Sequence, residues 1–386
     1  VVSSGVNRLI EILWRFALLG CASFGGPAAH MGYFRKSFVE KLKWMDDESY
    51  ARTVALSQFL PGPGSSQVGF AIGCHRGGLA GGICAFVGFT LPSFILMVLL
   101  SVSSAGLAES GTFQGIVHGL KLLAVVVVAD ATLGMFRSFC KDRLTAGLCV
   151  LTAAALLYFS GIGVQLIALL VAAVVGAVWI SKSTGESAPS DSKVRWWPLV
   201  LFVVLFVCLP LFWRDGLFSG FFQAGSLVFG GGHVVLPLLQ SGVAETVADD
   251  SFLLGYAGAQ AVPGPMFTFA SFLGAELTPE TAWRGAALAT LGIFLPGFLL
   301  VYGLRGAWQG LAARPRLAGA TAGLNAAVVG LLLAALFKPV FVSAVIQPSD
   351  FAIVVIGFYL LRSLKLPIVG LVLFFALAGL FLHSGS

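Results

Sequence analysis

The stretch "FLPGPGSSQVGF" (residues 59–70) has a partner in "AVPGPMFTFASF" (residues 261–272). Proline lacks an amide hydrogen and its ring clashes with the preceding helical turn, so Pro-Gly-Pro stops a helix. Both copies lie in strongly apolar chain. The fold must therefore accommodate two helix interruptions at matched places, in surroundings that normally forbid them.

Those surroundings are membrane-like. The chain has 386 residues, 58% of them hydrophobic and 10% charged, with a mean hydropathy of +0.95. Soluble domains average about 25% charged residues. Apolar runs at 79–102, 113–135, 146–159, 164–180, 198–211, 286–302, 318–337, 351–361 and 367–382 are the candidate spans. Most approach the roughly 20 residues that cross the hydrocarbon layer. The formal charge of +6 is a topology signal, and no nucleic-acid partner is expected. Six cysteines show no Cys-x-x-Cys spacing and are read as small buried hydrophobes. Cys74-His75 lacks the further ligands a metal needs, so neither metal nor cofactor is expected. Val1 is not a natural start, which predicts that some chain precedes it.

The interruption belongs to a repeat. "SFGGPAAH" (23–30) matches "VFGGGHVV" (228–235), and "LSQFLPGP" (56–63) matches "GAQAVPGP" (258–265). "GFTLPSFIL" (88–96) matches "GIFLPGFLL" (292–300), and "GLKLLAVVV" (119–127) matches "GLNAAVVGL" (323–331). Four blocks keep one order and nearly one offset, so the chain reads as two copies of one unit. The expected layout is a first repeat over residues 1–180, a polar linker with one extra transmembrane helix over 181–216, and a second repeat over 217–386.

Charge orients the copies. Arg35, Lys36, Lys41 and Lys43 follow the first FGG, whereas the matching segment 240–250 has no Lys or Arg. The next loop reverses the sign: 103–111 has no basic residue, and 302–316 carries Arg305, Arg314 and Arg316. Loop 137–143 has Arg137, Lys141 and Arg143, against Lys338 alone in 337–350. Basic loops stay in the cytoplasm. The expectation is thus an all-α polytopic membrane protein of two inverted-topology repeats, with broken, re-entrant helices at FGG and PGP. The alternative is a kink at each site within a full-length helix.

A helix end inside lipid strands its peptide groups, so it persists only where protein or a polar ligand covers it. A helix N-terminus offers free N–H donors and about half a positive charge, a seat for anions. Small or neutral-polar residues surround both breaks: Gly25, Gly26, Gln58, Gly62, Gly64, Ser65 and Ser66, then Gly231, Gly232, Gln260, Gly264 and Thr268. No acidic residue lies nearby, which fits a small oxyanion better than a cation. Lys121, inside the span at 113–135, either adds a positive charge to the site or snorkels to the interface; its counterpart is Asn325. His30 and His233 follow the glycine breaks and either link proton to anion movement or cap the helices. His118 reads as an interfacial histidine, and Asp130 as either a coupling carboxylate or a neighbour of Arg137. Arg35, Lys36, Lys41 and Lys43 read as a solvated face. Arg52, Arg76 and Arg284 flank the breaks and could reach inward. Asp46, Asp47, Asp249 and Asp250 read as helix N-caps. Gly73 and Gly77 suit either a homodimer contact or internal packing.

The strings "FGGPAAHMGYFRKSF" (24–38), "LPGPGSSQVGFAIG" (60–73), "FGGGHVVLPLL" (229–239) and "QAVPGPMFTFASFLGA" (260–275) resemble signatures of the chromate ion transporter family. The repeat framework carries that resemblance over nearly the whole chain. It implies two homologous, oppositely oriented halves in a bacterial inner membrane, exporting chromate, with sulfate associated in some members. The second half departs from the first in having Met266-Phe267-Thr268 where the first has Gly64-Ser65-Ser66, so the two breaks are not chemically equivalent. The expected function is secondary export of chromate by alternating access, driven by membrane potential or a proton gradient, with no nucleotide-binding P-loop present. An oxyanion channel, a sulfate carrier and a membrane-embedded enzyme are the alternatives.

Overall fold

The computed structural model describes residues 2–24, 26–107, 110–159, 161–180, 194–213, 216–229, 232–243, 246–306 and 314–384. The described residues are overwhelmingly helical and include no strand. The first half comprises α1 (Val2–Ala22), α2 (Gly26–Phe34), α3 (Asp47–Phe59), α4 (Gly64–Leu107), α5 (Gly111–Phe139), α6 (Arg143–Tyr158) and α7 (Ile162–Trp179). After α8 (Trp196–Phe212) come α9 (Leu217–Leu227), α10 (Val235–Val243), α11 (Asp249–Ala261), α12 (Phe269–Glu276), α13 (Ala282–Leu304), α14 (Pro315–Ala335), α15 (Pro348–Arg362) and α16 (Ile368–Ser384). Among the described residues, four helical stretches are long and apolar enough to cross a membrane: Gly64–Ser104, Gly111–Phe139, Pro279–Leu304 and Pro315–Ala344. Shorter apolar helices join them, and together with the composition they make this a multi-pass membrane protein.

The backbone is broken, not merely bent, at both Pro-Gly-Pro sites. α3 ends at Phe59 and α4 begins at Gly64; α11 ends at Ala261 and a short 3-10 turn, Met266–Thr268, leads into α12. Gly62 and Gly264 both adopt positive φ, +118° and +104°, which only glycine tolerates easily. The FGG sites separate α1 from α2 and α9 from the 3-10 turn Gly232–Val234. α4 carries a further break at Gly77 and Gly78, whose backbone angles leave the helical region. The arms between breaks are short. α2, with 9 residues, runs directly into a π-helical stretch of 7, Arg35–Lys41, and α3 has 13, at most about 24 and 20 Å of helix against roughly 30 Å of hydrocarbon.

Two compact units result, each drawing on both halves of the chain. One comprises Val1–Val102, Ser190–Gly232 and Val262–Trp308; the other Ser103–Pro189, His233–Ala261 and Gln309–Ser386. Inside each, some contacts come in pairs that join matching positions of the similar sequence blocks. In the first unit the N–H of Gly62 donates to the carbonyl of Val228 (2.7 Å), and the N–H of Gly264 donates to the carbonyl of Ser23 (2.9 Å). Gly62 and Gly264 are counterparts, as are Ser23 and Val228. In the second unit α7 packs on α14 while α16 packs on α5. A Cβ on Gly323 would collide with the carbonyl of Ala172, and one on its counterpart Gly119 with the carbonyl of Phe375. Gly176 and Gly379 form the matching pair on α7 and α16.

Several expectations change here. Cys74 and Cys149 are buried as expected, but Cys21 is exposed and Cys84, Cys140 and Cys208 are half-buried. Gly73 packs on Gly81 and Gly77 on Ile12, so both serve internal packing. Asp46 does cap α3, accepting from the Ser49 N–H at 2.7 Å, and that bond holds its carboxyl below the ordinary range. Asp47 instead binds Arg35 (2.9 Å), and Asp250 turns away from its own helix end to Lys121. Lys36, Lys41 and Lys43 are exposed, as a solvated face requires.

The glycine contacts make a prediction. Gly119→Val and Gly323→Val should each lower the melting temperature of the detergent-solubilised protein, since overpacking costs about 1–3 kcal/mol even where side chains can shift. Gly147→Ala, where an added Cβ meets nothing within 4 Å, should leave it unchanged. Equal behaviour of the three variants would contradict the packing described.

Candidate functional site

The first PGP break organises a polar cluster within the first unit. Pro61, Gly62 and Pro63 end the α3 ladder, and α4 restarts with Gln67 N–H on the carbonyl of Pro63 (2.9 Å). The N-terminal turn of α4, Gly64-Ser65-Ser66, is thus left to other partners, as the first amides of any helix are. Ser65 Oγ lies 3.3 Å from Nδ1 of His30, which is 1% exposed. The other ring nitrogen of His30 lies 3.3 Å from the carbonyl of Ser23, and the ring meets the edge of Phe89. The Ser23 carbonyl also receives the Gly264 N–H, so one oxygen ties the first FGG to the second PGP. Gln67 Nε2 donates to the carbonyls of Pro61 (2.7 Å) and Gly297 (3.3 Å), bracing the break against α13.

Among the buried polar atoms without a partner are Ser66 Oγ and Gln67 Oε1 on the first turn of α4, Ser23 Oγ just before the first FGG, and Thr90 Oγ1 further along α4. Buried polar atoms are nearly always hydrogen-bonded, and each exception invites an explanation. Three of the four are hydroxyls able to donate. Of these, Ser66 lies in the first turn of α4 itself, where the leading amides have no partner within the helix.

The second PGP break is different. Thr268 is fully buried, but its hydroxyl is satisfied by the carbonyl of Pro265 (2.8 Å). The Met266 methyl occupies the space a Cβ on Gly232 would need, at 2.6 Å, with Phe267 close behind. Apolar side chains therefore close this break where serines line the first. Gly264 itself is pressed against Ser93, the counterpart of Gly297.

The second unit gathers other candidates. Lys121 Nζ binds Asp250 Oδ1 at 2.7 Å; the lysine side chain is 7% exposed and the aspartate 69%. The lysine charge is thus answered within the protein. His118 Nε2 lies 2.9 Å from Asp350, a fully buried carboxylate that also accepts the N–H groups of Ile346 and Gln347. His118 is therefore a hydrogen-bond partner of a buried carboxylate rather than a lone interfacial residue. Asp130 pairs with Arg362 (2.7 Å), not with Arg137. His233 Nδ1 bonds the hydroxyl of Tyr256 (2.7 Å), which also engages Gln260. Asn325 is buried with its side-chain oxygen unpartnered.

Some expected site residues do not join either cluster. Gln58 is exposed on α3. Gly26 opens α2 with φ +78° and open space around it. Gly25 and Gly231 lie outside the described residues. None of the flanking arginines reaches a break: Arg52 binds Glu48, Arg76 binds Glu11 and covers Trp44, and Arg284 is exposed. Sequence reading missed Ser23, Gln67 and Thr90. All three lie inside the quoted motifs, where their small or amide side chains were a usable signal. It also missed Asp350, although Gln347 and Asp350 carry a capping-box spacing.

The Lys121–Asp250 pair is testable. Asp250→Ala should depress stability and transport more than the double variant Asp250→Ala/Lys121→Met, because the single change strands a buried ammonium. A double-mutant cycle should give a coupling above about 0.5 kcal/mol. Additive effects would show that the pair does not form in the working protein.

Comparison with known proteins completes the description. The chain matches the chromate transporter family over residues 10–212 and 216–380. It is 27% identical over 348 residues to a chromate transport protein of Pseudomonas aeruginosa, covering 83% of this chain and 79% of that one. It is 26% identical over 343 residues to a chromate transport protein of Cupriavidus metallidurans, with 85% and 81% covered. An uncharacterized transporter of Methanocaldococcus jannaschii is 27% identical over 305 residues, with 76% and 74% covered. No solved structure matches. With the match extending over nearly the whole sequence, the chain belongs to the chromate transporter family.

Proposed function

We propose that this protein exports chromate across the bacterial inner membrane as a secondary transporter, with the first PGP break as its principal anion seat. The observation that carries the reading is the buried, unpartnered Ser66 hydroxyl in the first turn of α4, with further unpartnered hydroxyls at Ser23 and Thr90 in the same unit. A tetrahedral dianion presents four acceptor oxygens and no donor. Hydroxyls, backbone N–H groups and a helix dipole suit it without a fixed counter-charge, so binding stays weak enough for release. Three carboxylates of the second unit, Asp250, Asp350 and Asp130, are engaged by Lys121, His118 and Arg362.

The reciprocal Gly62–Val228 and Gly264–Ser23 bonds fit a two-fold relation between the two halves, and the opposite charge of their matching loops favours the inverted form of it. Half-helices meeting at such an axis are a common basis for alternating access. Their unequal lining favours one main seat over two. A dianion leaving a negative-inside cell gains about 4–5 kcal/mol per 100 mV, which suffices for export without nucleotide hydrolysis. His30, within the break, is the group through which a proton gradient would contribute. Sulfate has the same charge and shape and should compete.

Uptake of radiolabelled chromate into inverted vesicles tests this reading. It should rise with an interior-positive potential, fall with added sulfate, and deliver chromium still as Cr(VI). Ser66→Ala should raise KM about tenfold, the worth of one hydrogen bond to a charged group. Potential-independent uptake, or reduced chromium inside, would overturn the proposal.

A further inference from the structure

Away from both breaks, two arginines of the first unit converge on one tyrosine. The Arg195 guanidinium carbon lies 4.5 Å from the centre of the Tyr302 ring, and that of Arg305 lies 5.0 Å from it. The arrangement is built into the backbone. Arg195 immediately precedes α8, and its N–H donates to the carbonyl of Gly303 on α13 (3.0 Å). Gly303 has no side chain, which lets Leu199 of α8 press against the helix there. Arg305 follows directly at the end of α13, where carbonyl groups favour a cation.

Neither arginine has a carboxylate partner among the described residues, unlike Arg35, Arg52, Arg76 and Arg362. Two like charges held beside one ring repel each other. The ring face offsets part of that cost, since an exposed cation–π contact is worth about 0.5–1 kcal/mol. The remaining field calls for an anion, and a guanidinium matches phosphate oxygens in a planar fork.

The surroundings indicate what bears the phosphate. Trp196 and Trp197, 69% and 54% exposed, sit beside Arg195, and Trp197 meets the edge of Tyr302 at 5.8 Å. Exposed tryptophans at the end of an apolar helix mark the headgroup level of a bilayer. Below them α8 exposes Val200, Val203, Val204 and Val207, a surface for acyl chains. The loop after Tyr302 is one of the basic ones, which places the pair on the cytoplasmic side, where anionic lipid attracts Lys and Arg.

We infer that Arg195, Arg305 and Tyr302 form a binding site for the headgroup of an anionic phospholipid of the cytoplasmic leaflet, with its chains lying along α8. The site is independent of the proposed anion seat, so its failure would leave that reading untouched.

Titration of the purified full-length protein with phosphatidylglycerol in a phosphatidylcholine background tests this, read by melting temperature and by native mass spectrometry. Phosphatidylglycerol should raise the melting temperature and remain bound, whereas inorganic phosphate should do neither. Arg195→Gln and Arg305→Gln should each weaken the response about fivefold, the effect of one basic residue near an anionic surface. Arg284→Gln, an exposed arginine with no such setting, should behave as wild type. Full phosphatidylglycerol response in both Gln variants, or equal protection by inorganic phosphate, would overturn the inference. If the variants do not fold, a photoreactive phosphatidylglycerol on the wild-type protein decides: labelling of 195–207 or 299–306 supports the site, and labelling elsewhere alone refutes it.

Discussion

Every peptide group within a membrane needs a hydrogen-bond partner, and this chain breaks its helices at matched places all the same. The stranded groups find partners in the other repeat. The Gly62 amide is satisfied by Val228 and the Gly264 amide by Ser23, so each PGP closes the backbone left open at the opposite FGG. An unsatisfied amide in hydrocarbon costs several kcal/mol. Neither break is therefore stable alone, and the pairing explains why the motifs come in twos. Glycine is required at both positions by φ and by space: a Cβ on Gly62 would stand 2.9 Å from the Gly297 Cα, and one on Gly264 would stand 2.8 Å from Ser93 Oγ.

The same economy of side chains shapes the helix packing. Lipid offers no hydrophobic drive for helices to associate, so close backbone approach does the work. Gly119 and Gly379 on one side, and Gly323 and Gly176 on the other, make equivalent contacts in different pairs of helices. Chemistry then distinguishes the repeats where geometry does not. Lys121 faces its partner Asp250, while its counterpart Asn325 keeps an unpartnered oxygen. Serines line the first break, and Met266 and Phe267 fill the second. A transporter of a single small anion gains from this inequality, since one seat can bind while the rest of the framework moves.

Much of the framework is legible in the sequence because it depends on local rules. Pro-Gly-Pro ends a helix in any setting, and a four-block repeat is visible without coordinates. The long apolar runs lie in helices, as their length and composition led one to expect. Long-range pairing was not legible. Nothing near Asp250 tells that its carboxylate goes to Lys121, 129 residues away, and cap statistics pointed to its own helix end. Asp350 and Asp130 likewise found partners 232 residues distant. Gln58 was grouped with the site by proximity to PGP, yet a helical turn rotates it to the outside. The serines of the α4 end were identifiable by type, but only the structure separates Ser65, engaged with His30, from Ser66, left open.

The account rests on an anion meeting the α4 amide end, and chromium itself can report that. Anomalous diffraction at the chromium absorption edge, from crystals grown with chromate, would place the metal directly. A peak about 4 Å from Ser66 Oγ and the amides of Gly64–Ser66 is the predicted result, one hydrogen bond plus one Cr–O bond away. A peak confined to the basic surface around Arg35 and Lys36, with none at the first break, would contradict it.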